Sequence, residues 1–355
     1  KRVNTRVFAK DWDIDQQKRK TYDAPPIPSH LVHNDYKEGS LDVAYHYPYP
    51  YPQFKDSVMD IKFFMTWIAS KDKRTYVDFE ENGHPEKVYP TNKLRLMVDK
   101  DAVIKNGIVP AKDADLIVPY IDITISNVAL TKNRILMLDI LANNDWTRPL
   151  YFTGGAQAAE EYIWLKDYLQ LDGLAYKFVP IKTPNEGSNF MNMGRIDTEV
   201  MYKNVKKWDW KNSKGDFYVD PETRKNGISF RNSLGRLADE FIKEKKYDKA
   251  EEMLDMAMEN MPIEKYGYYR LVIGYIESYY QIDRPEKARA IVEFLVNNFQ
   301  EINHFYSGLS SEEISADFRE LEGNLELYRY MIATVQEYDG EEYTSEVKEE
   351  VMASL

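Results

Sequence analysis

Cysteine is absent from the 355 residues, which removes disulfides, thiolate nucleophiles and cysteine-based zinc sites from consideration. No serine sits in a G-x-S-x-G elbow and no H-E-x-x-H pair occurs. No two carboxylates can be assigned to facing sides of a cleft from sequence, so the usual hydrolase and glycosidase signatures are lacking. Positive charge is in deficit: 47 Lys and Arg stand against 59 Asp and Glu, a formal net charge of -12. That balance opposes phosphate backbones and anionic lipid surfaces, so nucleic acid is not the expected partner. No run approaches the roughly 18 apolar residues of a spanning helix, and Lys1 to Thr5 lacks the apolar core of a signal peptide. As given, the chain reads as soluble. Its start in a strand-like stretch, Val3 to Phe8, reads as the beginning of a fragment of something longer.

What is present suffices for two domains, since 43% of the residues are hydrophobic and the length allows a sizeable core. Up to about residue 228 short strand-like runs alternate with helical ones. Val3–Phe8, Ile121–Ser126, Leu150–Thr153 and Tyr176–Ile181 read as strands. Trp12–Lys20, Ser57–Ser70, Thr131–Asn143, Ala158–Leu171 and Thr198–Trp208 read as helices, the third with Thr131 as N-cap. This alternation predicts an α/β domain over residues 1–227 with a mostly parallel sheet. An inserted β-hairpin is expected within Tyr76–Val98, with Asn82-Gly83 at its turn.

A polar connector, Asn212–Gly227, precedes a region, 228–355, that is helical throughout and repeats. Leu234, Leu237, Ala238, Phe241, Ala250, Leu254, Ala257 and Pro262 occupy tetratricopeptide contact positions. A second, more degenerate copy, offset by 38 residues, places Tyr275, Ile276, Tyr279, Ala288, Val292 and Leu295 likewise. The usual period is about 34 residues, so four must be absorbed between copies. Asp283 with Glu286 and Ser310 with Glu313 have capping-box spacing, and Ser310–Tyr338 is expected to cap the stack.

Each candidate for chemistry has a plainer structural explanation. Gly154-Gly155 follows a strand and precedes a helix, but no lysine follows until Lys166, and Glu160 and Glu161 in the first turn would repel a phosphate. It reads as a turn. Asp11, Asp13 and Asp15 resemble the start of a calcium loop, yet Gln16 and Tyr22 stand where glycine and glutamate are required. His30, His33, Asp35 and His46 lie close in sequence, but Pro25, Pro26 and Pro28 oppose the helix that would align them. No catalytic, metal-binding or cofactor-binding residue is assigned. The segment YHYPYPYPQF joins a stiff backbone to flat rings, so Tyr45, Tyr47, Tyr49 and Tyr51 form a candidate ligand or partner surface. Tyr275 and Tyr279 are a second such candidate on the repeats.

Three stretches, DWDIDQQKRKTYDAPPIP (Asp11–Pro28), LTKNRILMLDILANNDWTRPLYFTGG (Leu130–Gly155) and DYLQLDGLAYKFVPIKT (Asp167–Thr183), together carry a family resemblance. They resemble the C-terminal soluble region of large polytopic Bacteroidetes membrane proteins of unknown function. The membrane half of those proteins is related to the eukaryotic transmembrane protein O-mannosyltransferases, and tetratricopeptide-like helices follow their α/β region. The resemblance implies an extracytoplasmic, periplasmic domain whose catalytic acid lies in a membrane half not contained here, so no catalytic residue carries over. Asp13 stands where a tyrosine is expected. Trp146 and Pro149 look like packing and turn residues, and Arg148 is the polar position able to anchor a carboxylate. Asp56-Ser57-Val58 resembles the sequence that Bacteroidetes glycosylate on exported proteins, which marks Ser57. The expected function is a non-catalytic accessory region whose helical repeats bind a protein partner or acceptor polypeptide. A stand-alone α/β transferase or hydrolase with a helical appendage, and a pure scaffold, are the alternatives.

Overall fold

The computed structural model describes residues 42–46, 54, 57–78, 85–125, 129–153, 162–183, 190–210, 218–267, 269–316 and 318–353. Outside them lie the expected elements Val3–Phe8 and Trp12–Lys20, the aspartates 11, 13 and 15, His30 and His33, and the turns at Asn82-Gly83 and Gly154-Gly155. The chain divides into two compact units, Lys1–Gln170 with Ala175–Arg195, and Leu171–Leu174 with Ile196–Leu355.

The first unit is α/β. Its strands are β1 (Asp42–His46), β2 (Met59–Asp60), β3 (Tyr76–Asp78), β4 (Pro85–Tyr89), β5 (Lys93–Met97), β6 (Tyr120–Thr124), β7 (Ala129–Thr131), β8 (Tyr151–Phe152), β9 (Leu169–Leu171) and β10 (Tyr176–Phe178). Its helices are α1 (Ile61–Ala69), α2 (Lys100–Lys105) and α3 (Lys132–Asn143). Three small sheets form, ordered β3-β4-β1-β7, β2-β5-β6 and β8-β10-β9.

Among the described residues the pairing is mixed and not mostly parallel as the alternation predicts. The β1–β4 and β2–β5 ladders are parallel, whereas β1–β7, β3–β4, β5–β6 and β8–β10 are antiparallel. Six residues separate β3 from β4, too few for the crossover that a parallel pair requires, so Tyr76 to Asp78 fold back on Pro85 to Lys87. The hairpin is therefore present but is no insertion, because β4 also pairs with β1 in the middle of its sheet.

Side-chain alternation fixes the faces. Ile121 and Ile123 of β6 point into the core, while Tyr120, Asp122 and Thr124 are exposed. Helix α1 begins where Asp60 Oδ1 accepts the amides of Lys62 at 2.9 Å and Phe63 at 3.2 Å, satisfying groups that have no partner within the helix. It buries Ile61, Phe64, Met65 and Ile68, and Phe64 meets Tyr89 edge to face at 5.6 Å.

The expected helix Ala158–Leu171 is, in its described part, a 3-10 segment, Ile163–Tyr168, leading into β9. The carbonyl of Tyr168 accepts Val179 N at 2.9 Å and that of Leu169 accepts Arg195 N at 2.9 Å. Those acceptors are thereby taken from any α-helical ladder.

The second unit is all helical: α4 (Thr198–Val205), α5 (Pro221–Lys243), α6 (Tyr247–Asn260), α7 (Ile263–Tyr266), α8 (Tyr269–Gln281), α9 (Pro285–Ser307), α10 (Ser311–Ala316), α11 (Phe318–Tyr338) and α12 (Gly340–Met352). The helices pack as consecutive pairs, α5 with α6, α8 with α9 and α11 with α12, and the leading members α5, α8 and α11 touch in succession. Leu234, Leu237, Ala238, Phe241, Ala250, Leu254 and Ala257 are all buried, as are Tyr275, Ile276, Tyr279, Ala288, Val292 and Leu295. The short α7 lies between the first of these pairs and the second.

Helix α5 starts earlier than the polar composition of 212–227 implies. Asp220 Oδ1 accepts the amides of Glu222 at 3.0 Å and Thr223 at 3.1 Å, and Pro221 occupies the first turn, where its missing N–H costs nothing. Ser310 and Glu313 form the expected box, with Ser310 N donating to Glu313 Oε2 at 2.8 Å. Asp283 and Glu286 do not. Asp283 adopts φ +60° and Arg284 becomes the N-cap without a side-chain cap bond, its guanidinium directed instead to Glu251 at 2.9 Å.

Candidate partner-binding site

In the second unit, Asp197 caps α4 by accepting the amides of Glu199 and Val200, each at 3.1 Å. The chain leaves α4 through turns in which Lys207 N donates to Asn204 O at 3.1 Å and Trp208 N to Val205 O at 3.0 Å. That exit aims Trp208 and Trp210 at Phe230 of α5, with ring centroids 4.9 Å and 5.4 Å away. The two indoles meet each other at 5.7 Å with planes 75° apart. Edge-to-face packing of this kind favours offset quadrupoles and holds the rings in place.

Opposite this aromatic wall runs α6. Its Asp248, Glu252, Met256 and Asn260 recur every four residues, and Glu251, Asp255 and Glu259 form the adjacent ridge; residues at that spacing share one helical face. Between them lies an open groove of ≈ 1000 Å³, which Lys207 and Asp209 also line.

The carboxylates along the groove are not equivalent. Glu251 accepts Arg284 at 2.9 Å and Lys287 at 2.6 Å, and these hydrogen bonds hold its carboxyl below the usual range. Asp255 accepts Lys287 at 2.7 Å and the Tyr279 hydroxyl at 2.9 Å. Burial by itself would raise Glu252, but hydrogen bonds from Lys206 and Tyr202 outweigh it and leave the carboxyl below its ordinary value. Asp209, Asp248 and Glu259 are exposed. Among the described residues no group of three or more His, Cys, Asp or Glu side chains is placed to hold a metal ion.

Of the surface residues predicted from sequence, Tyr45, Ser57 and Arg148 lie in the first unit and Tyr275 and Tyr279 in the second. Tyr275 and Tyr279, expected to face a partner, are only 3% and 2% exposed. Their hydroxyls donate to Arg231 O at 2.7 Å and Asp255 Oδ1 at 2.9 Å, and burial, the leading cause, pushes both phenols upward. They are packing residues of the α8 contacts. Tyr45 lies on β1 opposite Val88 and Ala129, and Tyr47, Tyr49 and Tyr51 fall outside the described residues. Arg148 is exposed, and its carbonyl accepts Asn144 Nδ2 at 2.8 Å. Ser57 is half-buried, its hydroxyl donating to Phe54 O at 2.8 Å. Sequence reasoning missed Trp208, Trp210 and the two ridges of α6. The signal was there: Trp-Asp-Trp ahead of carboxylates spaced by three and four.

Among the described residues no helix is long and apolar enough to cross a membrane. No curated protein and no solved structure matches the chain. Residues 1–200 match the family model described as TMEM260-associated domain 2. Because the match covers more than half of its length, the chain belongs to the TMEM260-associated domain 2 family.

Proposed function

We propose that this chain is the extracytoplasmic, non-catalytic accessory region of a membrane-embedded glycosyltransferase-like protein. Its tetratricopeptide-like helix pairs hold a protein partner or an acceptor polypeptide. The observation that carries this reading is the family match over residues 1–200, whose namesake is regarded as an O-mannosyltransferase-like membrane protein. It agrees with the resemblance of Asp11–Pro28, Leu130–Gly155 and Asp167–Thr183 to the periplasmic part of Bacteroidetes proteins related to protein O-mannosyltransferases. A helical unit built of successive pairs adds an extended surface of the sort that such arrays use for polypeptides.

An antibody raised to the domain and used on cells of the source organism tests the placement. The expected band lies far above 41.7 kDa, needs detergent for extraction, and is cut by protease added to spheroplasts. A detergent-free band near 41.7 kDa sinks the proposal and returns attention to an independent α/β enzyme. The same material gives an intact mass, in which an added hexose series removed by Ser57→Ala would establish modification at Ser57.

A further inference from the structure

Helix α11 buries one side and leaves another uncovered. Its packed side carries Met331 and Val335, both fully buried, and Tyr328, which meets Phe299 of α9 edge to face at 5.4 Å. Phe318, Glu322, Leu325 and Arg329 follow one another at steps of four, three and four, the spacing of a single helical face. All four are exposed, Phe318 at 57% and Leu325 at 47%. We propose that this stripe is an interface between two copies of the chain, in which α11 of one subunit lies antiparallel to α11 of the other.

Charge complementarity selects a second copy as the occupant. A two-fold axis crossing α11 between Leu325 and Glu326 is equidistant from Glu322 and Arg329. It sets Glu322 opposite Arg329 of the partner subunit and Arg329 opposite the partner subunit's Glu322. An isologous contact repeats each of its interactions, so one glutamate and one arginine give two ion pairs, one on each side of the leucines at the centre. Neither Glu322 nor Arg329 forms an ion pair of its own among the described residues, so no existing pair has to break. A parallel arrangement would set glutamate against glutamate and arginine against arginine, which repulsion disfavours. The same axis brings Phe318 opposite Ala333 of the partner subunit, a side chain small enough to admit a ring. From Phe318 to Ala333 the helix rises about 22 Å, a contact at the low end of specific interfaces. A net charge of -12 on each chain opposes association. The dimer is therefore a readily dissociating one.

Sedimentation equilibrium of the full chain from about 5 µM to about 500 µM covers the range in which so small an interface dissociates. The average mass should climb from 41.7 kDa toward twice that value. Leu325→Asp should weaken association by about tenfold or more. Glu322→Arg and Arg329→Glu, each alone, set like charges against each other twice and should weaken it as much. An equimolar mixture of those two variants should associate at least as well as the parent, because both ion pairs are then restored between unlike subunits. The substituted side chains are exposed, so unchanged circular dichroism and thermal midpoints are expected throughout. A chain that stays monomeric over the whole range, growth beyond two copies, or a mixture no more associated than its two components overturns the proposal. Association through α11 stands apart from the accessory-region reading, which extraction and protease access decide.

Discussion

The two units hold their buried polar groups over different distances along the chain. In the α/β unit distant side chains close on main-chain carbonyls: Trp146 Nε1 donates to Met97 O at 2.9 Å, Trp67 Nε1 to Val88 O at 2.9 Å, and Asn106 Nδ2 to Trp146 O at 3.1 Å. In the helical unit the ladders are local, and a few side chains tie one pair to the next, as Tyr275 does at Arg231 O and Ser278 at Asp239 Oδ1, 3.1 Å away. A fold of small mixed sheets stands or falls as a whole, whereas stacked pairs lose stability piece by piece.

The largest effect should come from breaking the sheet unit. Trp146 is 5% exposed, stacks on Phe178 at 5.4 Å and adopts φ +55°. Trp146→Ala is expected to cost about 3–5 kcal/mol, and hydrogen exchange should then lose protection in α1, α3 and β5 together. Protection lost only within a few residues of 146 would refute a cooperative unit. Next comes Arg231, which is fully buried and donates to Met261 O and Gly267 O on either side of α7. Arg231→Ala leaves a buried carbonyl, Met261 O, and a half-buried one, Gly267 O, without this donor, a loss of about 3 kcal/mol. Exchange should quicken in α5, α7 and α8 while α11 and α12 keep their protection.

The same contrast decides how much was legible beforehand. Core positions such as Leu234 and Ala250, both buried, are legible because a helical period is local. The start of α5 was missed because Asp220-Pro221-Glu222, a cap followed by a first-turn proline, lies within a polar stretch. Sheet pairing was misjudged because it joins residues far apart: nothing near Tyr168 announces that its carbonyl goes to Val179. Tyrosine suits surface and core alike, and only the fold shows that Arg231 O and Asp255 satisfy the hydroxyls of Tyr275 and Tyr279. The groove escaped notice because its two walls, Trp208-Trp210 and α6, are separated by the whole of α5.

Lys87 sharpens the comparison through pH. Its ammonium is buried in the sheet unit, donating to Ser70 O at 2.6 Å and Thr75 Oγ1 at 2.7 Å, and burial lowers its pKa to about 8. The unfolded chain retains the ordinary lysine value of about 10.4, so between those limits the unfolded state binds more protons. Stability from this group therefore rises with pH across that window, by up to about 1.4 kcal/mol per unit. Lys87→Met should flatten the slope relative to the parent in denaturant titrations at pH 8, 9 and 10. An unchanged slope would mean that the ammonium is better solvated than its 3% exposure implies.

Two glycines in the helical unit give the smallest effects, and they should differ in sign. A Cβ at Gly227 of α5 would lie 2.8 Å from Tyr266 Cδ1, whereas a Cβ at Gly274 of α8 would meet nothing within 4 Å. Helix propensity favours alanine over glycine by about 1 kcal/mol at either site. Tyr266 is 8% exposed and is held against Arg231, 5.9 Å from its guanidinium, so its ring cannot simply swing away. Overpacking of that kind costs about 1–3 kcal/mol, enough to reverse the propensity gain at Gly227. Gly227→Ala should thus destabilise by about 1 kcal/mol and Gly274→Ala stabilise by about 0.5–1 kcal/mol, both read from urea midpoints at constant slope. If both variants stabilised, α5 and α7 would not pack as closely as the pair architecture requires, and Gly227 would be an ordinary helical position.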